Sequence, residues 1–326
     1  MLILAFFGRI WYNLIIMKDG EGMYIGVDAG GTKTDICICD NAGKVIVRDI
    51  SNGVNAARDG ADAAARHIAA RIMSSGVTRA VSMYAGIAGA GSPAIAAAVA
   101  EMLAALLPDI SRIKVMSDAF NALNGEVGSG DGIALIAGTG SSAFVSINGI
   151  SRQVGGRGGL IDDAGSGYWT GRECLNAAFR AIDGRGPHTS LVAAAEKKLG
   201  MVLADSIKHI YGGGAAYVAS FAPLVFEHAK NGDEVARAIA SRCLDELLLH
   251  IRACVSGCES PPEICVASGG MFRNAYLCSA IAKGASTYGV RIIFPDVQPV
   301  FGAVITAAGD NADAEFKETL RNILRG

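Results

Sequence analysis

The chain has 326 residues, of which 51% are hydrophobic and 18% are charged, and its formal net charge at pH 7 is −2. So small a charge excludes a basic nucleic-acid-binding surface, and the length is sufficient for two domains with real cores. Residues 1–22 read as an N-terminal extension whose two apolar runs are too short to cross a bilayer. We therefore expect a cytoplasmic α/β protein that binds neither nucleic acid nor membrane.

The first predicted elements are two strands joined by a glycine-rich turn between Met23 and Asp40. Apolar residues run up to Asp28, and from Thr34 polar and apolar residues alternate as in a half-buried strand. The turn between them holds Gly30, Gly31, Thr32 and Lys33. Such glycines can adopt positive φ and let N–H groups reach an anion, while threonine hydroxyls and the lysine ammonium add donors. The stretch alone fits a phosphate loop and an ordinary threonine-capped turn equally well.

Asp28 ends the first strand directly before that turn. A carboxylate there would repel a bound phosphate unless a divalent cation with its waters separates the two groups. The stretch thus predicts a nucleotide bound with Mg2+, and Asp28 would hold the metal through water. Because the glycines join two strands and open no helix, the Walker A loop and the dinucleotide fingerprint are excluded.

The chain continues with a predicted strand over residues 44–50, a helix over 57–75 and a strand over 79–87. A helix that starts at Ser92 and a short strand before Asp118 complete the order β-β-β-α-β-α-β. Asp118 precedes the next helix and so has the position of a helix N-cap. By itself that position favours capping over any chemical role.

The second half opens in the same way, with three strands predicted over 131–137, 143–147 and 150–154. Its first two strands are joined by a second turn, which holds Gly138, Thr139, Gly140, Ser141 and Ser142. Beyond it we expect a strand at 264–267 and helices at 191–199, 215–229, 233–256 and 315–324. Two related halves can present their turns to one polyphosphate, and the repeat therefore favours the phosphate-binding interpretation.

Five stretches of the chain together resemble one family. They are Gly26–Thr34, Ser117-Asp118, Ile136–Ser142, Gly155–Trp169 and Ala267–Arg273. In this order they are similar to the motifs of the N-acetylglucosamine kinase and archaeal hexokinase branch of the BadF/BadG/BcrA/BcrD group, within the superfamily of actin, sugar kinases and heat-shock chaperones. The resemblance implies a duplicated, ribonuclease H-like α/β fold in which two actin-like lobes enclose an ATP cleft.

The resemblance also implies how the chain is divided. The N-terminal lobe is expected over residues 23–118 plus 304–326, and the C-terminal lobe over 119–303. A hinge between them would let the lobes close on substrate. Because homodimers are common in the family, we expect a homodimer here.

Roles for individual residues follow from matching motif positions. The two turns match the family's phosphate loops, and Asp118 matches the catalytic base that takes the proton of a sugar hydroxyl as its oxygen attacks the γ-phosphorus. Gly269 and Gly270 match glycines that lie against adenosine. The implied nucleotide-binding set is Asp28, Gly30, Gly31, Thr32, Lys33, Thr34, Gly138, Thr139, Gly140, Ser141, Gly269 and Gly270.

Sugar recognition is implied for four residues. Asn55 and Asp163 match side chains on opposite walls of the family's sugar site, and amides and carboxylates bind vicinal hydroxyls in fixed geometry. Asn55 fits a loop or helix cap equally well. Gly156 would bring backbone close to the sugar. Arg157 replaces a tryptophan of the animal enzymes, which weakens any claim of strict N-acetylglucosamine specificity, and it could pair with a substrate carboxylate.

The expected activity is ATP-dependent transfer of the γ-phosphate to a hydroxyl of a hexose or N-acetylhexosamine. Two alternatives stay open. One is a 2-keto-3-deoxygluconate kinase of the same family. The other is an ATP-dependent activator of a radical 2-hydroxyacyl-CoA dehydratase, which needs cysteines that bind an iron–sulfur cluster. The eight cysteines here are scattered without the spacing of a metal site, and Asp118 is present, so the kinase is favoured.

Overall fold

The computed structural model describes residues 22–77, 79–128 and 130–325, so the N-terminal extension lies outside the described residues apart from Gly22. The first half of the chain forms a five-stranded mixed sheet. Its strands are β1 (Tyr24–Ala29), β2 (Lys33–Cys39), β3 (Val45–Asn52), β4 (Ser82–Ile87) and β5 (Ile113–Met116). Their order is β3-β2-β1-β4-β5, with β1 antiparallel to β2 and parallel to β4. The carboxyl end of β1 therefore lies at the centre of one sheet edge.

The second half repeats this arrangement in a second mixed sheet of order β10-β9-β6-β7-β8. Its strands are β6 (Gly132–Ala137), β7 (Ser141–Ile147), β8 (Ile150–Gly155), β9 (Ile264–Ser268) and β10 (Arg291–Ile293). In both sheets a glycine-rich turn joins the first two strands, which pair in antiparallel fashion. The predicted α/β fold with a duplicated opening is confirmed.

Twelve α-helices within the described ranges surround the two sheets. They are α1 (Ala56–Asp59), α2 (Ala61–Ser74), α3 (Pro93–Leu106), α4 (Ala119–Val127), α5 (Gly167–Ile182), α6 (Leu191–Leu199), α7 (Ile207–Ala219), α8 (Ala222–Lys230), α9 (Glu234–Val255), α10 (Ala275–Ser286), α11 (Val300–Ala308) and α12 (Ala314–Leu324). None of these helices is long and apolar enough to cross a membrane. Each sheet is covered on both faces, which explains why so many of the strand residues are buried.

Two helix predictions need correction. The helix expected over 57–75 is two helices, because Gly60 lies between them with a φ of 92° that a regular helix does not allow. The helix expected over 215–229 is also two, since Pro223 lies in the first turn of α8, where its missing N–H breaks no hydrogen bond. Strand β10 was not predicted, and no bounds were predicted for helix α10.

The two halves meet through α4 and α11. Side chains of α4 such as Phe120 and Leu123 pack on the second sheet, whereas α11 packs on the first sheet, where a Cβ on Gly26 would lie 2.5 Å from Val304. Gly302 of α11 lies directly against the backbone of α4, leaving no room for a side chain. The contact places α4, and with it Asp118 at its start, between the two sheets. The division into lobes stays a prediction, and its boundary at residue 304 falls inside α11.

Candidate active site

The first glycine-rich turn joins β1 to β2 and is closed by a hydrogen bond from Gly30 N to Lys33 O at 2.9 Å. Gly31, Thr32 and Lys33 are exposed, so their donors are accessible to a ligand. Neither glycine has a positive φ, which corrects the expectation that the turn uses that freedom. A Cβ on Gly31 would meet nothing within 4 Å. Glycine at position 31 thus leaves open space in front of the backbone, and it is not required there by an unusual dihedral angle.

The turn is held in place by the segment after β3, for which the sequence pattern predicted no role. Gly53 N donates to Thr32 O and Val54 N donates to Gly30 O, each at 3.1 Å. A Cβ on Gly53 would lie 2.5 Å from the carbonyl carbon of Gly31. Gly53 therefore supports the turn by close backbone contact, and the one sequence signal for it was a glycine directly after a strand.

Thr34, which was predicted to belong to the same loop, lies in β2 opposite Ala29. Its side chain is fully buried, and its hydroxyl has no hydrogen-bond partner among the described residues. A buried hydroxyl is normally paired, so this group keeps an unused hydrogen-bonding capacity. Its role in nucleotide binding stays a prediction.

Asp28, at the end of β1, is brought close to Asp118 by the packing of α4. Asn121 of α4 donates from Nδ2 to Asp28 Oδ1 at 2.6 Å. Burial raises the pKa of Asp28 to about 7; the charges of Asp118 and Asp35 add to the rise, while the Asn121 hydrogen bond and Lys33 oppose it. Two carboxylates from distant parts of the sequence thus share one low-dielectric region.

The neighbouring Asp35 shows by contrast what is unusual about Asp28. The two residues are direct partners across β1 and β2. Asp35 is buried and accepts two hydrogen bonds from Arg48, at 3.2 Å and 3.0 Å, which neutralise its charge. Asp28 accepts from a neutral amide instead. Its charge is therefore the one of the pair that a bound cation could balance.

Asp118 occupies the N-cap position of α4, but its side chain makes no capping hydrogen bond. The hydroxyl of Ser117 donates to Asp118 Oδ1 at 3.3 Å. Burial is the main cause that raises the pKa of Asp118, and the hydrogen bond from Ser117 opposes it. A carboxylate with a raised pKa and no capping duty has the properties of a general base.

The second turn lies against the loop that follows β8. Within the turn Gly138 N donates to Gly140 O at 2.9 Å, and Thr139 is exposed. A Cβ on Gly140 would lie 2.7 Å from Asp163 Oδ2, so the carboxylate touches the turn backbone. The hydroxyl of Ser141 is engaged in the fold, where it donates to Ala164 O at 2.8 Å. The structure therefore brings the second predicted phosphate loop and the predicted sugar ligand Asp163 together.

Asp163 itself is held in a strained conformation. Its φ is 60°, a left-handed value that a residue other than glycine rarely adopts. Gly158 N donates to Asp163 Oδ1 at 3.2 Å, and burial is the main cause that raises the pKa of this carboxyl. Strain of this kind persists where the surroundings determine the geometry, as they do at binding sites.

The loop between β8 and Asp163 is shaped by glycines. Gly155, Gly156 and Gly158 all have positive φ, and a Cβ on Gly156 would lie 2.5 Å from the Ser142 side chain. The side chain of Arg157 is exposed. Among the described residues its one hydrogen bond comes from the backbone N–H, which donates to Asp162 Oδ2 at 3.1 Å. The guanidinium is thus accessible to a ligand.

Two residues that sequence reasoning missed fix the start of this loop. Gln153 donates from Nε2 to the carbonyl oxygens of Gly155 at 3.0 Å and Gly156 at 3.3 Å. His250 of α9 is buried, its Nδ1 donates to Glu246 O at 2.8 Å, and its Nε2 lies against Gly155. Neither residue carries a recognisable pattern, because each acts through tertiary contact.

Asn55 has the capping role that the sequence left open. Its Oδ1 accepts from Ala57 N and Arg58 N, both at 3.0 Å, at the start of α1. Gly89, in the turn after β4, lies directly against that same oxygen. The amide Nδ2 is the part of the side chain left for a ligand, and a sugar contact stays a prediction.

Gly269 and Gly270 follow β9 beside the second turn. Gly269 has a φ of 111° and lies against the carbonyl of Ala137, the residue before Gly138. Both glycines are exposed, so a ligand can approach their backbone. A cavity of about 640 Å³ adjoins Thr139, Gly140 and Asp163 between α5 and α7 and is lined mainly by apolar side chains. Its volume is in the range of small-molecule sites.

Two mixed sheets, each opening with a strand pair joined by a glycine-rich turn, together with two partly buried carboxylates of raised pKa, are typical of an ATPase of the actin-like class. The sequence pattern of the BadF/BadG/BcrA/BcrD ATPase family matches residues 25–307, and the chain belongs to this family. Its members use ATP, as the resemblance implied. The resemblance drawn from the five motifs is confirmed.

Within this family, the chain is similar to proteins named as sugar kinases. The chain is 28% identical to the N-acetylmuramic acid/N-acetylglucosamine kinase of Clostridium acetobutylicum, over 88% of this chain and 98% of that protein. It is 32% identical to the N-acetyl-D-glucosamine kinase of Dictyostelium discoideum, over 67% of this chain and 74% of that one. A structural-genomics crystal structure from Chromobacterium violaceum has a TM-score of 0.65 at 24% identity, covering 88% of this chain and 99% of that one. This last likeness shows a common fold.

Proposed function

We propose that this protein is an ATP-dependent sugar kinase that transfers the γ-phosphate to a hydroxyl of a hexose or N-acetylhexosamine. The observation that carries the proposal is the proximity of Asp28 and Asp118, close enough for the charge of Asp118 to raise the pKa of Asp28. Asp28 lies at the end of a central strand beside a glycine-rich turn, and Asp118 lies at the start of a helix that it does not cap. Kinases need this pair of functions, one acid near the phosphates and one near the accepting hydroxyl. The kinase relatives support the same conclusion.

In the proposed reaction the chain binds and orients two substrates. The turns that contain Gly30 and Gly138 offer N–H groups to the polyphosphate, and Gly269 with Gly270 receives the nucleoside against bare backbone. Asp118 accepts the proton of the sugar hydroxyl as its oxygen attacks the γ-phosphorus and the bond to the β-phosphate oxygen breaks. Positioning and fixed donors supply most of the remaining acceleration.

The residues present fit Mg2+. Within the described ranges no three His, Cys, Asp or Glu side chains converge, and Mg2+ is typically held by one or two carboxylates together with substrate phosphates and waters. Asp28 supplies such a carboxylate with an uncompensated charge. Bound Mg2+ would neutralise charge on the phosphates, and Asp28 would hold it through water.

The sugar is proposed to bind between the glycine loop after β8 and the segment around Asn55. Asp163 and the Asn55 amide provide hydrogen-bonding groups for vicinal hydroxyls, and Gly156 permits close approach. Because both named relatives act on N-acetylhexosamines, an amino sugar or its N-acetyl derivative is the first candidate. The exposed Arg157 keeps a sugar acid as the second candidate.

Three further expectations belong to the proposal. The lobes comprise residues 23–118 plus 304–326 and residues 119–303, and their closure around the cleft precedes transfer. The protein acts in the cytoplasm. It assembles as a homodimer, which sedimentation of the purified full chain would test.

ADP release with ATP and Mg2+ tests the proposal across glucose, N-acetylglucosamine, N-acetylmannosamine and 2-keto-3-deoxygluconate. Release that depends on a neutral sugar supports the first candidate, and release that depends on the sugar acid supports the second. Slow ADP release without dependence on any of them would contradict the kinase and favour an ATP-driven activator. Iron and acid-labile sulfide in the purified protein would support that activator further.

A further inference from the structure

Asn121 of α4 connects the helix that carries Asp118 to the strand that carries Asp28. Its side chain is fully buried. Its Nδ2 donates to Asp28 Oδ1 at 2.6 Å and to Val27 O at 3.3 Å. One amide nitrogen therefore binds both the side chain and the preceding backbone carbonyl at the end of β1.

The orientation of this amide is determined by its partners. Both groups facing Nδ2 are acceptors, so a flipped amide would place its oxygen against a carboxylate and a carbonyl. The other end of the amide, Oδ1, has no partner among the described residues and lies directly against Gly86 of β4. A Cβ at Gly86 would occupy the space that the amide needs.

A buried oxygen without a partner is unfavourable for folding, and an apolar residue would avoid it. Both hydrogen bonds that the Asn121 side chain makes go to the end of β1. Asn121 is therefore buried at a cost in stability, and the one side chain to which it donates a hydrogen bond is the Asp28 carboxylate. This points to a functional reason for the residue.

We propose that Asn121 is a positioning residue that fixes the Asp28 carboxylate for a metal-bound nucleotide. The inference rests on the proposed function, because it takes Asp28 as the carboxylate that serves the nucleotide's metal. Asn121 lies three residues after Asp118, on the same face of α4. Helix α4 thus carries the proposed base, Asp118, at its start, and it positions the Asp28 carboxylate through the side-chain amide of Asn121.

The chain offers a matched control one turn further along the same helix. Asn124 is also buried, and its Nδ2 donates to the Tyr84 hydroxyl of β4 at 3.1 Å. Asn121→Ala and Asn124→Ala each remove a buried asparagine of α4 and its hydrogen bond to the first sheet. Only Asn121→Ala changes the surroundings of Asp28.

Calorimetric titration with ADP, once with Mn2+ and once with EDTA, tests the proposal. Residues that orient a metal ligand typically contribute about 10-fold or more to metal affinity. We expect Asn121→Ala to weaken binding of the Mn2+ complex of ADP about 10-fold and to change metal-free ADP affinity less than twofold. We expect Asn124→Ala to leave both affinities within about twofold of wild type.

A double-mutant cycle with Asp28→Asn shows whether Asn121 acts through Asp28. In the Asp28→Asn background, Asn121→Ala should have no further effect on the metal-dependent affinity, because its partner is already altered. Equal losses for the two asparagine variants, or full additivity in the cycle, would overturn the inference. Wild-type protein that binds ADP equally well with and without Mn2+ would overturn the proposed metal role of Asp28 itself. Metal-dependent binding that Asn121→Ala leaves intact would overturn only this inference.

Discussion

The two glycine-rich turns are similar in sequence but are supported differently. The first is held from one side by the backbone of Gly53 and Val54, and its carboxylate, Asp28, comes from the strand just before it. The second is held by the start of α5, where Gly167 N donates to Gly138 O at 2.7 Å, and its carboxylate, Asp163, comes from a later loop. The duplicated turn has thus been combined with acids of separate origin. In the proposed reaction both turns contact phosphate, whereas Asp28 serves the metal and Asp163 serves the sugar.

The largest effect is expected at the residue that joins the two halves. Asp118→Asn should lower kcat by about 100-fold to 10,000-fold, the usual contribution of a general base, because an amide cannot accept the proton. ADP affinity should stay within about twofold of wild type in a calorimetric titration. The exposed Asp109, before β5, provides the control Asp109→Asn, which should keep full activity. An Asp118→Asn enzyme with wild-type turnover would remove Asp118 as the base.

The two turns should respond differently to an added methyl group. Gly53→Ala should destabilise the fold by about 1–3 kcal/mol, because the Cβ meets backbone that has little room to move. Gly138→Ala should leave the melting temperature nearly unchanged, since its Cβ meets nothing within 4 Å, yet lower ADP affinity by obstructing the phosphates. Thermal melts and ADP titrations of both variants check this. Equal melting shifts for the two would contradict the proposed difference in support.

Variants of Asp163 and His250 should affect the KM for sugar more than the KM for ATP. Asp163→Asn keeps a residue type that tolerates the left-handed conformation but removes the charge, so we expect the KM for sugar to rise about 10-fold and the KM for ATP to change little. His250→Leu should raise the KM for sugar by a smaller factor, because His250 contacts the loop after β8 only at Gly155, where the loop starts. Steady-state kinetics with each substrate varied measures both. A rise in the ATP KM alone would place Asp163 with the nucleotide.

The smallest expected effect is a pH dependence of stability at Asp28. Its pKa of about 7 lies above the ordinary value of 3.8, so the folded protein retains a proton that the unfolded chain loses. Stability should therefore fall as pH rises from about 4 to 7. Asp28→Asn has no such group and should be more stable than wild type by a few degrees at pH 8, with the difference vanishing at pH 4. Melting curves in EDTA measure this, and parallel curves for the two proteins would contradict it.

The hairpins and their turns could be predicted because their signals are local. Strand alternation, glycines and threonines lie within a few residues of each other, and the second copy confirmed the pattern of the first. Element ends were less certain where local signals conflicted. The glycines 212–214 concealed the first half of α7, and Gly214 indeed has a non-helical φ of 66° there. Helix formation in that region depends on tertiary packing more than on propensity.

Residues of the candidate site could be proposed from the sequence only where family motifs marked them. Asp118 has no local signal beyond a cap position, and resemblance alone assigned it as the base. Asn121, Gln153 and His250 could not be found from sequence, because their roles depend on contacts between distant segments. The bond from Asn121 to Asp28 spans 93 residues of chain. A sequence pattern carries no information about which strand end such a side chain will face.

The most direct test of the central claim is to follow the products of ATP by phosphorus NMR, using the wild-type enzyme with Mg2+ and the best sugar of the panel. We expect one new phosphomonoester resonance that grows in equal amount with ADP and is lost in Asp118→Asn. ADP accompanied only by inorganic phosphate, at the same rate with and without sugar, would contradict the claim that Asp28 and Asp118 form a sugar-phosphorylating site.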